Sequence, residues 1–461
     1  MTTPPAEAPP TPPLHEMILT RGYLKLLLLS VVAGVVIAFA SFCLVSLQHE
    51  LQHQVWEVLP ETVGYDQPPW WWPLPSLLLA GLLAMPIITR FPGTGGHVPA
   101  HGLGGPMLGP KDLPGVVLAA VATLPLGIVL GPEAPLMALG SGLALLALRR
   151  SKRAAEPKAA LVLGTAGSTA AISTILGGPV VAAVLVLEAA GMGGAQLFVL
   201  LLPCLVASGA GALVFTGFGQ WTGLSIGALS LPEVPPDVTP DAADFLWGIP
   251  LAVLIGVVVS TMHQLGHLTA AWTQKHTALR TVLCAVAVGV CIAAYALTTG
   301  RSPAEAALSG QATLAVVAGQ PHTFAVSALI LLVLFKGLAW GICLGSLRGG
   351  PIFPAVLMGA AAGIAASGLP GLGTTAGLAL GVATATAVVT RLPVTSSVLA
   401  VLLLGHDAHN QAPLIVLCAV VGFITAEIVE RIRHPMPFQI KRHGGRRSAT
   451  RRSPRRRAFE S

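Results

Sequence analysis

Long apolar runs, separated by short polar or Gly/Pro-rich breaks, follow one another along most of the chain. Apolar runs of about 18 or more residues are typical of helices that cross a bilayer. Because open sheet edges are not stable in lipid, this pattern predicts an all-α polytopic membrane protein. We expect the membrane spans at 23–47, 74–89, 113–130, 194–215, 246–266, 278–298, 324–347 and 412–430.

Several other apolar pieces are too short to span a bilayer alone, and they contain Gly and Pro at matching places in two halves of the chain. GPEAPLMALG (131–140) and PIFPAVLMG (351–359) each place a Pro five residues before the final Gly. Two similar halves with broken helices are typical of transporters built from inverted repeats. We therefore expect tilted, broken and half-length helices, with a first membrane repeat over 23–215 and a second over 246–433.

Composition supports this class and narrows the functions. The chain of 461 residues is 54% hydrophobic and 10% charged, whereas soluble domains carry about 25% charged residues. The six cysteines lie in apolar runs without paired spacing, which indicates buried thiols and neither a disulfide framework nor a metal cluster. Lys336, in LVLFKGLAWG, is expected to snorkel or to be paired. We expect no enzyme activity, no cofactor and no resident metal.

Charge asymmetry between the loops predicts the orientation. The segment 149–158 has five basic residues and one acid, and the tail 434–461 is strongly basic, whereas 216–245 has acids but no Lys or Arg. By the positive-inside rule, both termini face the cytoplasm at a cell membrane, and 216–245 forms an extracellular linker. The Pro-rich residues 1–22 and the basic tail are expected to be disordered. The tail is expected to contact membrane lipid rather than nucleic acid.

The HELQH stretch, His49 to His53, fits the H-E-x-x-H pattern of zinc metalloproteases. Such a site needs a third ligand and a sheltered water, and no Asp lies inside a long apolar run of this chain. A second pair, His263 and His267 in HQLGH, lacks the glutamate. We expect HELQH to be a polar helix end in the external loop after the first span, with an intramembrane zinc protease as the alternative.

Two motifs, GPEAP (131–135) and GGPIFP (349–354), are predicted to begin half-length helices inside the bilayer. The first N–H groups of such a helix lack intrahelical partners and, with the helix dipole, form an end that binds anions. If the two motifs point at one another, they form an anion site. Glu133 lies at one of these starts, where an ionisable residue is expensive to bury. We interpret it as a gate that occupies the anion site while ionised, with a helix cap as the alternative role.

From about residue 90 to 430, these motifs resemble the CLC family of chloride channels and chloride/proton exchangers. GGHVP (95–99), GPEAP and GGPIFP are similar to the three filter stretches of that family, and VTRLP (389–393) is similar to a later helix start. The order and spacing of the motifs carry the resemblance. It implies a homodimer with one pore per subunit and Glu133 as the gating glutamate. The anion-binding residues that it implies are Gly95, Gly96, His97, Val98, Pro99, Gly131, Ala134, Gly350, Ile352, Phe353 and Phe438.

Departures from the family pattern bear on the mechanism. Gly96 replaces the filter serine, Pro132 replaces an arginine, and the tyrosine of the last helix is missing, with Phe438 near its place. The family's inner proton-transfer glutamate falls on Ala189, and Glu188, one residue earlier, is a candidate proton-transfer residue. A shift of one residue turns a helical side chain by about 100°. We therefore expect passive, channel-like chloride conductance, with a chloride/proton antiporter or a transporter of fluoride or nitrate as alternatives.

Overall fold

The chain forms an all-α, multi-pass membrane architecture. The computed structural model describes residues 14–102, 107–149, 157–223, 231, 239–405 and 408–433, and these residues contain helices and loops but no named strand. Seven helical segments in this part of the chain are long and apolar enough to span a membrane, at Arg21–Thr62, Pro73–Arg90, Gly194–Thr222, Ala242–Gln274, Thr277–Thr299, Val326–Ser346 and Asn410–Arg433. The fold class predicted from the hydrophobic pattern is confirmed.

The described helices follow one another with short connections. They are α1 (Leu14–Ile18), α2 (Arg21–His53), α3 (Leu59–Thr62), α4 (Pro73–Arg90), α5 (Leu113–Thr123), α6 (Glu133–Arg149), α7 (Pro157–Ser173), α8 (Pro179–Ala189), α9 (Gly194–Thr222), α10 (Ala242–Gln274), α11 (Thr277–Thr299), α12 (Gln311–Gly319), α13 (Val326–Ser346), α14 (Ile352–Ala366), α15 (Thr374–Thr390), α16 (Pro393–Leu404) and α17 (Ala408–Arg433).

The predicted span 113–130 is a half-length helix instead. α5 ends at Thr123, and a 3₁₀ turn at Leu124–Leu126 leads to Gly127, whose φ of 108° lies in a region that favours glycine. A methyl group on Gly127 would overlap the indole of Trp56, whose Nε1 donates to the Pro125 carbonyl at 3.0 Å. This turn breaks the helix because it accommodates a tryptophan from the first span.

Three predicted loop or tail boundaries are also corrected. α2 continues through a π-helical turn at Gln54–Val58 into α3, so HELQH lies within a helix and not in a loop. α1 occupies part of the predicted tail 1–22, while the rest of that tail before residue 14 lies outside the described residues. Between α9 and α10, the predicted linker 216–245 shortens at both ends, because α9 runs to Thr222 and Asp241 caps α10 with a capping box. The tail 434–461 is outside the described residues.

The two halves pack their broken helices in the same way. An added methyl at Gly140 of α6 would overlap the Gly167 carbonyl of α7, and one at Gly359 of α14 would overlap the Gly381 carbonyl of α15. Small residues let helix backbones approach closely in membranes. α15 is buried over almost its whole length, so it belongs to the protein interior rather than to a lipid-facing span. The matching glycine contacts fix the starts of α6 and α14 relative to the rest of each half.

Candidate functional site

The two predicted half-helix motifs meet in the interior. The Gly131 N–H donates to the Gly350 carbonyl at 2.8 Å, and the Gly350 N–H donates to the Gly131 carbonyl at 2.6 Å, which forms an isolated antiparallel bridge. The bridge lies directly before α6 and α14, so the first residues of both helices come together. The expectation that GPEAP and GGPIFP meet is therefore confirmed.

Glu133 is completely buried at this junction. Its Oε1 accepts a hydrogen bond from the Phe353 N–H at 2.8 Å, whereas its Oε2 is buried without a hydrogen-bond partner. Phe353 lies in the first turn of α14, so the carboxylate accepts a hydrogen bond from one of the N–H groups at the start of the opposite half-helix. A methyl group on Gly131 or Gly350 would overlap the carboxylate, which explains why both bridge residues are glycines.

The bridge changes the expected roles of two anion-binding residues. Gly131 and Gly350 lie at the site, but their N–H groups donate to each other's carbonyls and are not available to an anion. The Phe353 N–H, by contrast, donates to the Glu133 carboxylate. Ile352, at the first position of α14, is buried beside it. At the start of the second half, the N–H group that Glu133 contacts therefore belongs to the first turn of α14 and not to the glycines before it.

The GGHVP loop lies next to this junction. Gly95 and Gly96 have φ angles of 73° and 117°, which non-glycine residues rarely adopt. The buried Arg348, directly before GGPIFP, donates through Nε to the Thr94 carbonyl at 3.0 Å and so ties the two motifs together. The half-buried Val98 follows in the same loop. Phe438, predicted near the inner end of the site, lies outside the described residues.

Two separate spaces adjoin the chain neighbours of Glu133, and we name them outer and inner after the orientation that the loop charges predict. An outer pocket of about 70 Å³ is lined by Gln48, His49 and Pro132, among others. A larger cavity of about 500 Å³ is lined by His97, Pro99, Ala134 and Gly349, and reaches Ala189 and Leu392. The consecutive residues Pro132, Glu133 and Ala134 thus touch the outer pocket, the buried junction and the inner cavity.

Two basic side chains that stand singly within apolar runs of the sequence are buried in the same core. Lys336 is fully buried, and its ammonium donates to the carbonyls of Ala306, Ala307 and Leu308 at 3.0, 2.8 and 3.2 Å. It neither snorkels nor forms an ion pair, which corrects the sequence expectation. Arg348 is 8% exposed and is bonded to backbone carbonyls. In the described residues, the buried charged side chains are Glu133, Asp244, Lys336 and Arg348.

Glu188 lies away from the inner cavity at the start of another helix. Its carboxylate accepts hydrogen bonds from the Val394 N–H at 2.9 Å and from the Thr395 N–H and hydroxyl, both at 2.7 Å. These are N–H groups of the first turn of α16, so Glu188 caps that helix across a sequence separation of more than 200 residues. Its neighbour Ala189 is the residue that lines the cavity.

HELQH contributes to the outer pocket. His49 lines that pocket, and His53 pairs with Glu57 at 3.3 Å on the next turn of the helix. Among the described residues, no group of three or more His, Cys, Asp or Glu side chains is arranged to hold a metal ion. HELQH is the polar, largely exposed end of α2, as expected, and it lies beside the GPEAP motif.

Comparison with known proteins agrees with this architecture. The family model described as voltage gated chloride channel matches residues 99–427. YfeO of Escherichia fergusonii is 27% identical over 358 residues, which cover 75% of this chain and 79% of YfeO. YfeO of Escherichia coli K12 has the same identity and coverage.

Solved structures with the same fold are transporters of the CLC type. A CLC-type fluoride/proton antiporter has a TM-score of 0.68 at 17% identity, covering 89% of this chain and 97% of its own. A slow cyanobacterial Cl⁻/H⁺ antiporter has a TM-score of 0.67 at 17% identity, covering 88% of this chain and 98% of its own. At these identities the structures show a common fold. Because the family model covers more than half of the chain, the protein belongs to the voltage gated chloride channel family, the CLC family.

Proposed function

We propose that this protein carries chloride or a similar small anion across the cell membrane, through one pore per subunit, with Glu133 as the gate. One observation carries the proposal. The Glu133 carboxylate is wholly buried on an N–H group of the opposite half-helix, and its two chain neighbours touch an outer pocket and an inner cavity. A negative group thus blocks the junction between two spaces by occupying a donor that suits an anion.

The gate works by exchange of one negative group for another at the Phe353 N–H. When Glu133 takes up a proton, its attraction for that N–H falls, and the side chain can leave the junction. An anion from either space then accepts a hydrogen bond from the Phe353 N–H in place of the carboxylate. The buried guanidinium of Arg348 lies directly before GGPIFP and donates to the Thr94 carbonyl, and its positive charge favours an anion at the site over a cation.

Passive conductance is the mode that the inner side of the site supports. Ala189 lines the inner cavity, where the resemblance places a proton-transfer glutamate, and Glu188 is held as the cap of α16. Three hydrogen bonds from the start of α16 hold the Glu188 carboxylate in place there. The alternative is proton-coupled exchange, because two proteins with this fold are named as proton antiporters.

Purified protein in liposomes tests both modes in one assay. We expect a chloride gradient to dissipate in the presence of a potassium ionophore, with no uphill proton movement. Proton movement driven by the chloride gradient would overturn the passive mode, and absence of any anion flux would overturn the proposed function. Fluoride and nitrate gradients in parallel vesicles identify the preferred anion. Glu61→Gln, which changes an exposed carboxyl in α3, is the matched control for Glu133→Gln.

Orientation and assembly belong to the same proposal. Both termini are placed in the cytoplasm because the basic segments lie at 149–158 and after residue 433. The homodimer is implied by the CLC resemblance. Single-molecule photobleaching of labelled subunits in the liposomes distinguishes a dimer from a monomer, and labelling of cysteines introduced at 66 and 158 distinguishes the two faces of the membrane.

A further inference from the structure

The outer pocket has a second wall that takes no part in the gate. Gln48 and Gln52 of α2 line the pocket, and so do Ser309 and Gln311. Gln311 is the first residue of α12, and Gly310, between the two lining residues, is the N-cap of that helix. The pocket therefore lies between the last turns of α2 and the start of α12.

Gln48 carries a hydrogen-bond donor that has no partner within the protein. Its side chain is only 8% exposed, and its Nε2 is buried without a hydrogen-bond partner. Such a group is costly to leave unpaired, because folding has removed it from water. Since the amide nitrogen is only a donor, the partner that it lacks is an acceptor atom. Because Gln48 lines the outer pocket, that pocket is the space from which an acceptor can reach it.

The start of α12 offers further donors to the same space. The helix has nine residues, and no side chain caps its first N–H groups. The first N–H groups of a helix have no partner within the helix and, together with the helix dipole, attract anions. Donors from two separate helices, α2 and α12, thus meet at one small pocket.

A buried positive charge stands directly behind this helix start. The Lys336 ammonium donates to the three carbonyls of residues 306–308, and a methyl group on Gly310 would lie 3.2 Å from its nitrogen. Three carbonyls at hydrogen-bond distance require three donor hydrogens, which the charged ammonium has and the neutral amine lacks. The loop that carries Ser309 is therefore held from behind by a cation.

Glu133 is the acid that follows a lining residue of the pocket, Pro132. Its carboxylate is not turned to the pocket donors but accepts the bond from the Phe353 N–H. Negative charges at the two places repel each other, so an anion in the outer pocket and an ionised Glu133 weaken each other's binding. We therefore expect the outer pocket to hold an anion best when Glu133 is protonated.

We propose that the outer pocket is a second anion site, which holds one small monovalent anion such as chloride between the Gln48 amide and the start of α12. Its volume of about 70 Å³ is roughly that of two water molecules, which suits a halide and excludes larger organic anions. None of the described residues that line it is Asp or Glu, so a cation lacks a carboxylate ligand there. Neutral donors bind an anion weakly enough for it to move on. Only the role as an entry site to the gate rests on the proposed function.

Bromide is the probe, because its anomalous X-ray scattering distinguishes it from water. Crystals of the full-length protein in bromide should show an anomalous peak within hydrogen-bond distance of Gln48 Nε2. The peak should be lost in Gln48→Leu, which has no donor, and in Gln48→Glu, which replaces the donor by a negative acceptor. Gln54→Leu is the matched control, since Gln54 is exposed on the same helical segment and does not line the pocket. Water alone in the wild-type pocket, or a peak that survives both Gln48 variants, would overturn the proposal.

Thermal unfolding of the same proteins in detergent separates anion binding from a structural role of Gln48. In gluconate, which is too large for the pocket, Gln48→Leu should be at least as stable as the wild type, because it removes an unpaired buried donor. Bromide should then stabilise the wild type and Gln54→Leu more than it stabilises Gln48→Leu. A Gln48→Leu protein that is less stable in gluconate and equally stabilised by bromide would overturn the proposal. Neither measurement involves flux, so failure of the transport function is detected separately.

Discussion

The two half-helix starts have the same scaffold and opposite chemistry. In the first half, the chain after Gly131 presents an acid, Glu133, in the first turn of α6. In the second half, the chain after Gly350 presents apolar side chains and a backbone N–H, that of Phe353. The glycine bridge holds the two starts against each other so that the acid of one half meets the donor of the other.

This difference assigns the gate to one half and the anion donor to the other. If the halves were chemically equal, two acids would repel each other in the core, or two unoccupied helix ends would leave the site open. A single carboxylate can occupy a single donor and exchange with an anion there. The glycines matter because the bridge and the carboxylate share the same small volume. The variants below alter one side of this pair at a time.

The largest effect is expected from Gly350→Ala. The added methyl would overlap the Glu133 carboxylate, so it removes the space that the carboxylate and the anion take in turn. We expect chloride flux to fall by well over ten-fold and the stability to drop by about 1–3 kcal/mol, as for other overpacked interiors.

Gly368→Ala is the control for that variant, since its added methyl contacts nothing within 4 Å. Adding Glu133→Ala to Gly350→Ala should recover much of the lost stability, because the overlapping partner is gone. An unchanged thermal inactivation temperature in Gly350→Ala, or no coupling between the two changes, would contradict the shared volume at the bridge.

Glu133→Gln should have the next largest effect. In the wild type, we expect flux to rise as pH falls, because the protonated carboxyl competes less well for the Phe353 N–H. The glutamine carries no charge at any pH, so flux should be raised by roughly ten-fold near neutral pH and should not vary with pH. Chloride efflux from liposomes across a pH series measures this. A variant that keeps the wild-type pH profile, while Glu61→Gln also keeps it, would exclude Glu133 as the gate.

Arg348→Gln should weaken anion binding by roughly five-fold, through loss of a buried positive charge worth about 1–2 kcal/mol. Arg348→Lys keeps the charge and should bind chloride nearly as the wild type does. Arg280→Gln, which removes a half-buried guanidinium that stacks on Trp272, is the control. The dependence of flux on chloride concentration gives the affinity. Equal loss in the Gln and Lys variants would show that the bond to the Thr94 carbonyl matters and the charge does not.

Much of the fold was predictable because its determinants are local. Half-length helices follow from Gly and Pro placement, and the burial of Glu133 follows from one acid among apolar neighbours. The break at Gly127 was missed because its determinant, Trp56, lies in a distant helix. The span prediction counted apolar residues, and Leu-Pro-Leu-Gly is apolar enough to pass that test.

The sequence does not predict the parts of the site in which one residue could interact with either of two partners. A sequence shows that Gly131 and Gly350 have free N–H groups, but the tertiary pairing decides that they bind each other. Arg348 and Lys336 stand singly among apolar residues, where snorkelling and burial give the same pattern. Only the carbonyls that surround Lys336 distinguish the two.

Glu188 offers the smallest and most selective test. If Glu188 caps α16, the substitution Glu188→Ala should lower the stability by about 1 kcal/mol and leave chloride flux unchanged. Glu188→Gln, which keeps one acceptor oxygen, should lose less. If Glu188 transfers protons instead, the Gln and Ala variants should abolish proton movement equally, and the thermal inactivation temperature need not change. The glutamine amide keeps a hydrogen-bond acceptor but cannot carry a proton at neutral pH. If the Gln variant is more stable than the Ala variant and the two show the same proton movement, Glu188 is a helix cap.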